Sequence, residues 1–235
     1  PQWGDIPTAD MLAPDYLHAR ASSISLDQCL RDVTAGQPRT GLAPASDGTG
    51  LVSAMTSHLV VTDAYGLCIS MTTTINQNFG ARLSAAGFFL NNALTNFARI
   101  PAVAGKRESA NAMQPGKRPI TSFSPTIVCD EHNRPCMLIG AGGGNRIVGY
   151  VANAILRWRS GMRDAQAIIS SPHLLNWSGL TDIEPELSRH AAALRQRGHW
   201  TMVRRMDGGT QGAVLHDGRW YGGADPRRDG VAAGL

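Results

Sequence analysis

The sequence of 235 residues has no apolar run approaching the length of a membrane-crossing helix. Its four cysteines (Cys29, Cys68, Cys129, Cys136) include no CxxC pair, so no zinc site or other metal centre is expected, and the redox compartment is not fixed by them. No GxGxxG occurs, and the glycine run at 142–144 lacks a phosphate-loop lysine, which disfavours nucleotide binding; no cofactor is expected. Internal repeats and low-complexity tracts are absent. The net charge is only +4, and the arginines are spread over 157–228 without interleaved aromatics, which argues against a nucleic-acid partner. What remains, 43% hydrophobic and 17% charged residues, is the composition of an ordinary globular chain long enough to bury a core.

Taken in order, residues 15–35 place Leu26, Cys29, Leu30 and Val33 at helical intervals, with Gly36 as a stop, and predict one or two helices. Residues 41–55 (GLAPASDGTGLVSAM) have the composition of an exposed loop. SHLVVTD and LCISMTTT then alternate as strands around a turn at Ala64-Tyr65-Gly66. TTTIN (72–76) substitutes polar for apolar residues, costly in a core strand unless those groups line a site or bond to backbone. GFFLNNALTNF (87–97) suits a strand running into a binding loop. The prolines of 98–119 predict an irregular excursion whose basic pairs, Lys106-Arg107 and Lys117-Arg118, are solvated. A second hairpin, SPTIVCD and PCMLIGA, leads into Gly142-Gly143-Gly144-Asn145 and a helix with Ile147, Val148, Val151, Ala154, Ile155 and Trp158 on one stripe. In that hairpin Cys129 and Cys136 read either as facing partners or as two unpaired strand residues. Helices near 163–171 and 185–197, then strands about an Asp217-Gly218 turn, complete an α+β chain.

Two stretches carry chemistry. Thr56, in Thr56-Ser57-His58, lies where a loose loop meets a strand. Were the loop cut before it, its freed α-amine, titrating near pH ~8, would serve as base for its own hydroxyl. The triplet also reads as polar residues at a strand edge. The strand, three glycines and helix start at 140–147 present bare backbone N–H groups at a positive helix terminus, an anion trap, though they also read as a flexible turn.

Six motifs in combination, TSH at 56, TTTIN at 72, LNNALTNF at 90, GKRPITSFSPTIV at 116, GAGGGNR at 140 and GGADPRRDG at 222, resemble the γ-glutamyltransferase family of N-terminal-nucleophile hydrolases. The resemblance implies an αββα four-layer sandwich and a precursor that cuts itself before a threonine. Residues 1–55 would then be the tail of the large subunit and 56–235 the small, catalytic subunit, with the rest of the large subunit lying outside this chain. By motif, Thr56 resembles the nucleophile and Thr74 the residue that orients it. Gly143 and Gly144 resemble the oxyanion hole, Asn76 a glutamyl contact, and Thr121-Ser122 the Ser-Ser pair that grips the α-carboxylate. The partners implied are a glutathione-like amide or peptide and the large subunit of the same precursor, and the location implied is the periplasm or the exterior.

Departures from the pattern are as informative. Asn96 stands where the family has an acid for the substrate α-ammonium, and Ala93 where a polar residue is usual. Ser57 replaces a second threonine, and Ala141-Gly142 replaces Ser-Pro. The amide-opening machinery is kept while recognition of glutamate is weakened. The readings that follow are a Thr56 amidohydrolase or acyltransferase on γ-glutamyl compounds, a related acylase with another acyl amide, and an unprocessed non-catalytic member or fragment.

Overall fold

The computed structural model describes residues 6–30, 33–38, 55–106, 108–177 and 179–234. In chain order the helices are α1 (Thr8–Met11), α2 (Pro14–Ser22), α3 (Ile147–Arg159), α4 (Ala165–Ser170) and α5 (Ala191–Gln196). The strands are β1 (Met55–Thr62), β2 (Cys68–Asn76), β3 (Ser84–Ala85), β4 (Phe88–Phe89), β5 (Thr126–Cys129), β6 (Pro135–Gly142), β7 (Leu174–Trp177), β8 (Leu180–Ile183), β9 (Trp200–Val203), β10 (Gly209–His216) and β11 (Arg219–Ala224).

Three layers stack around one core. The β1–β2 hairpin packs on a four-stranded antiparallel sheet of order β11-β10-β6-β5, whose other face carries α3 and α4. Met137, Ile139 and Ala141 of β6 meet Ile147, Tyr150, Val151 and Ala154 of α3, with Ile168 and Ile169 of α4 and Val214 of β10, all nearly or fully buried. Each large aliphatic side chain removed from water there contributes roughly 1.5–3 kcal/mol. A separate three-stranded sheet, β7-β8-β9, joins an antiparallel to a parallel pair.

The β1–β2 hairpin is inverted relative to an ordinary half-buried sheet. Its inward face carries Thr56 and His58, with Ser70, Thr72, Thr74 and Asn76 opposite them. Leu59, Val61, Ile69, Met71 and Ile75 stand exposed on the other face, Leu59 paired with Met71 and Val61 with Ile69. The polar run at 72–76 is therefore not a defect of the strand, because those side chains bond across the layer or to backbone. His58 seats its ring directly over Gly140 of β6, where a Cβ would come within 2.2–2.5 Å of three ring atoms.

Both expected hairpins, the 3-residue turn Ala64-Tyr65-Gly66 and the Asp217-Gly218 turn form, the last with positive φ at both residues. Several expectations fail. Residues 23–30 are not helical: Ser25 Oγ accepts the backbone N–H groups of Asp27 and Gln28, closing a turn that competes with the helix, and Leu26 is left exposed. In α3 Val148 faces solvent, while Tyr150 takes the buried position. The segment 185–197 begins as a 3-10 helix over Pro185–His190 before α5, and the strand in 87–97 is only β4, followed by a 3-10 turn at Ala93–Asn96. Of the excursion at 98–119, Ser109, Asn111 and Ala112 are buried. Of the two readings for Cys129 and Cys136, the unpaired one holds: both are free thiols, and Cys129 pairs with Pro135 in the register. The loop expected at 41–54 and Arg107 lie outside the described residues.

Gly140→Ala is expected to destabilise the protein by about 1–3 kcal/mol through overpacking against the His58 ring. Urea denaturation of Gly140→Ala, His58→Ala and the double variant checks this, with the double variant losing less than the sum.

Candidate active site

Thr56 is the second residue of β1 and only 5% exposed. Two carbonyls bracket the Met55–Thr56 peptide bond, and each has a donor. Thr74 Oγ1 donates to Met55 O in a short hydrogen bond, and in turn accepts the backbone N–H of Asn76 at 2.8 Å. Arg228 Nη1 donates to Thr56 O at 2.7 Å. A hydroxyl bonded to Met55 O withdraws electron density from that carbonyl carbon.

The glycine run lies beside this bond. A Cβ on Gly142 would fall 2.0 Å from Thr56 O, so the Thr56 backbone rests on bare β6 backbone. Gly143 (φ 125°) and Gly144 (φ 61°) adopt conformations that L side chains rarely take, and the chain then enters α3 through a single 3-10 turn. A Cβ on Gly143 would meet the Tyr150 ring at 2.6 Å. Ser122 Oγ donates to Gly144 O at 2.8 Å, tying the 121–122 segment to the turn, whereas Thr121 is exposed and its Oγ1 accepts the N–H of Phe123.

Asn76, buried and with φ 76°, closes the other wall. Its Nδ2 donates to Thr95 Oγ1 at 3.0 Å and Asn92 Oδ1 at 3.2 Å, and its Oδ1 accepts Asn96 Nδ2 at 3.3 Å. Asn96 is 7% exposed, and its Oδ1 has no hydrogen-bond partner among the described residues. A cavity of about 340 Å³ opens beside Thr56, Thr74 and Arg228, with Phe79 at its rim.

Beneath the site lies a buried polar network that the sequence reading did not single out. Arg227 bonds the carboxylates of Glu184 and Asp225, Glu184 accepts the N–H of His173, and Asp225 accepts that of Thr210. Burial opposes the Arg227 charge, but the two carboxylates more than offset this and raise its pKa. For Glu184 burial is likewise outweighed, by Arg227 and the His173 N–H, and its carboxyl stays below the ordinary range. Arg146 pairs with buried Asp182 at 2.7 Å just after the glycine turn. His58 bonds Thr72 Oγ1 at 2.9 Å and Ser70 Oγ at 3.2 Å, and burial lowers its pKa from 6.5 to about 4. The DPRR run at 225–228 and the histidine of the TSH triplet were the available signals. Tyr150 and His173 had none. Among the described residues no cluster of three or more His, Cys, Asp or Glu could hold a metal ion, and no helix is long and apolar enough to cross a membrane.

The family model described as Gamma-glutamyltranspeptidase matches residues 1–235. The glutathione hydrolase proenzyme of Bacillus subtilis (strain 168) is 31% identical over 248 residues, covering 100% of this chain and 41% of its own length. The acylase ACY 1 proenzyme of Pseudomonas sp. (strain SE83) is 30% identical over 241 residues, again covering 100% of this chain and 40% of the relative. The chain thus spans about two fifths of the length of these relatives. A crystal structure of a mutant Helicobacter pylori gamma-glutamyltranspeptidase superposes with a TM-score of 0.64 at 28% identity, covering 73% of this chain and 100% of that one. The α+β fold is that of these N-terminal-nucleophile hydrolases.

The neutral, buried His58 sets a pH dependence. Where a folded-state pKa lies below the unfolded one, the unfolded chain binds more protons, so the stabilisation is present above pH 6.5 and is lost as the pH falls toward 4. His58 alone is expected to contribute up to about 3 kcal/mol to this loss. Urea midpoints at several pH values between 7 and 4 check it: His58→Gln flattens the slope, and an unchanged slope contradicts a neutral buried His58.

Proposed function

Because this chain belongs to the gamma-glutamyltranspeptidase family, we propose that it carries the nucleophile of a self-cleaving threonine amidohydrolase and acyltransferase. The observation that carries the reading is Thr56, buried against bare β6 backbone with a donor on each carbonyl flanking its peptide bond. In maturation the Thr56 hydroxyl attacks the Met55 carbonyl carbon while Thr74 bonds its oxygen. The C–N bond breaks, the amine leaves protonated, and water hydrolyses the resulting ester, leaving Thr56 with a free α-amine.

In turnover that amine accepts the Thr56 hydroxyl proton as the oxygen attacks the substrate amide. The N–H groups of Gly143 and Gly144 hold the developing oxyanion, each such donor being worth roughly 3 kcal/mol of barrier. The ammonium then returns its proton to the leaving amine. Water, or an acceptor amine, takes the acyl group from Thr56 and regenerates it. Residues 1–55 form the tail of the large subunit and 56–235 the small subunit. The exposed apolar face of β1–β2 supports this division, since a face of that kind requires covering and the remaining length of the precursor supplies the material.

The acyl donor proposed is a γ-glutamyl compound such as glutathione, with Asn76, Asn96, Thr121 and Ser122 as its contacts. Asn96 favours a second reading, an acylase for an acyl group without an α-ammonium. A neutral amide with an unpartnered buried oxygen offers a hydrogen bond and no counter-charge.

In the full-length precursor, Thr56→Ala is expected to abolish turnover of a γ-glutamyl anilide. Asn96→Asp is expected to raise kcat/KM for that substrate about tenfold or more, by restoring an ion pair of roughly 1.4 kcal/mol or more. No rise on Asn96→Asp would contradict a limiting role for Asn96 in glutamate recognition.

A further inference from the structure

The C-terminal arginine pair divides its work. Arg227 is the anchor: its guanidinium is held by Glu184 and Asp225 and by the carbonyl of Ser171. Arg228 Nε donates to Asp207 O at 3.1 Å and Nη1 to Thr56 O at 2.7 Å, so one planar guanidinium bridges the approach to β10 and the start of β1.

The route it takes is built for it. Gly142 of β6 and Gly209 of β10 face each other in the ladder. A Cβ on Gly209 would lie 3.0–3.2 Å from Arg228 Cδ, Nε and Cζ, and one on Gly142 would lie 2.9 Å from Nη1. Two opposed glycines thus clear a slot in the sheet that the arginine fills. Arg228 also borders both cavities flanking Thr56, the one of about 340 Å³ and a larger one of about 850 Å³ that reaches the β11 side.

We infer that Arg228 is a positioning residue for Thr56, fixing the nucleophile's backbone on β6 and placing a permanent positive charge beside its freed α-amine. The inference rests on the reading of Thr56 as the nucleophile. An α-amine titrating near pH ~8 is about nine-tenths protonated at pH 7 and is then no base. A guanidinium on the carbonyl of the same residue disfavours the ammonium form and keeps the amine available. Among the described residues, the other ionisable groups near Thr56 are His58 on β1, Arg219 on β11, and Asp207 and Asp229 beside Arg228 in sequence or space. His58 is neutral above its pKa of about 4, so it adds no competing charge.

The test uses the full-length precursor as wild type, Arg228→Gln and Arg228→Lys, each followed for cleavage before Thr56 and then for the pH dependence of kcat/KM on an anilide substrate. Arg228→Gln is expected to lower kcat at least tenfold at pH 7 with KM changed less than about threefold, and to move the acid limb upward by about one pH unit. Arg228→Lys keeps the charge but cannot span both carbonyls in the same fork, so the acid limb stays while kcat falls. An Arg228→Gln enzyme with the wild-type acid limb and kcat overturns the inference. Should that variant not fold, Arg228→Lys decides: wild-type kcat, or a displaced acid limb, overturns it. A wild-type precursor that never cleaves before Thr56 overturns the underlying reading as well, which separates the two failures.

Discussion

The structure depends on the close approach of β1 to β6. Two backbones from different layers can touch only where side chains are missing, and Gly140 and Gly142 supply that absence at alternate positions on one face. His58 fills the space over the first and the carbonyl of Thr56 the space over the second. Thr56, the proposed nucleophile, is therefore held by main chain against main chain, and the turn at Gly143-Gly144 begins one residue further along the strand it rests on. On the proposed reading, the distance between Thr56 and the N–H groups of Gly143 and Gly144 is set by sheet packing instead of by long side chains, which is the rigid arrangement that positioning catalysis requires.

This arrangement puts polar groups inside, and the molecule ties most of them into connected sets, with Asn96 Oδ1 left without a partner among the described residues. Thr72, Ser70 and His58 form one, Thr74 and Asn76 with Asn92, Thr95 and Asn96 a second, and Arg227 with Glu184, Asp225 and the His173 and Thr210 amides a third. The third locks the C-terminal segment under the site, and through it Arg228 reaches Thr56. Charges buried this way cost desolvation, so their value lies in fixing one geometry, and removal of a single member leaves an uncompensated partner. The apolar surplus has been moved to the outward face of the β1–β2 hairpin, away from the chemistry.

Much of this was legible because local signals agreed with the fold. Asp-Gly at 217–218 demands positive φ and sets its hairpin, and the three glycines after an apolar strand mark a turn that side chains cannot occupy. The polar 72–76 segment was readable as functional because it breaks strand patterning. The failures share a cause: periodicity does not distinguish a helical stripe from a coil that happens to repeat. At 25–28 the Ser25 hydroxyl wins the local competition, and the two helices before it bury nothing to oppose it. Tyr150, His173 and the Glu184–Arg227 pair stayed hidden because their partners are distant in sequence, 43 residues apart for Glu184 and Arg227, and meet only through packing. The β7–β8 hairpin, with strands of only four residues each, carried too weak an alternation to stand out.

The central claim, that Thr56 becomes an N-terminal nucleophile, is tested most directly by intact mass and N-terminal sequencing of the full-length precursor after purification and incubation. The account predicts a new chain beginning at Thr56, with the Met55–Thr56 bond broken in step with the appearance of amidase activity. A folded precursor that retains that bond would contradict it and leave the site without its base.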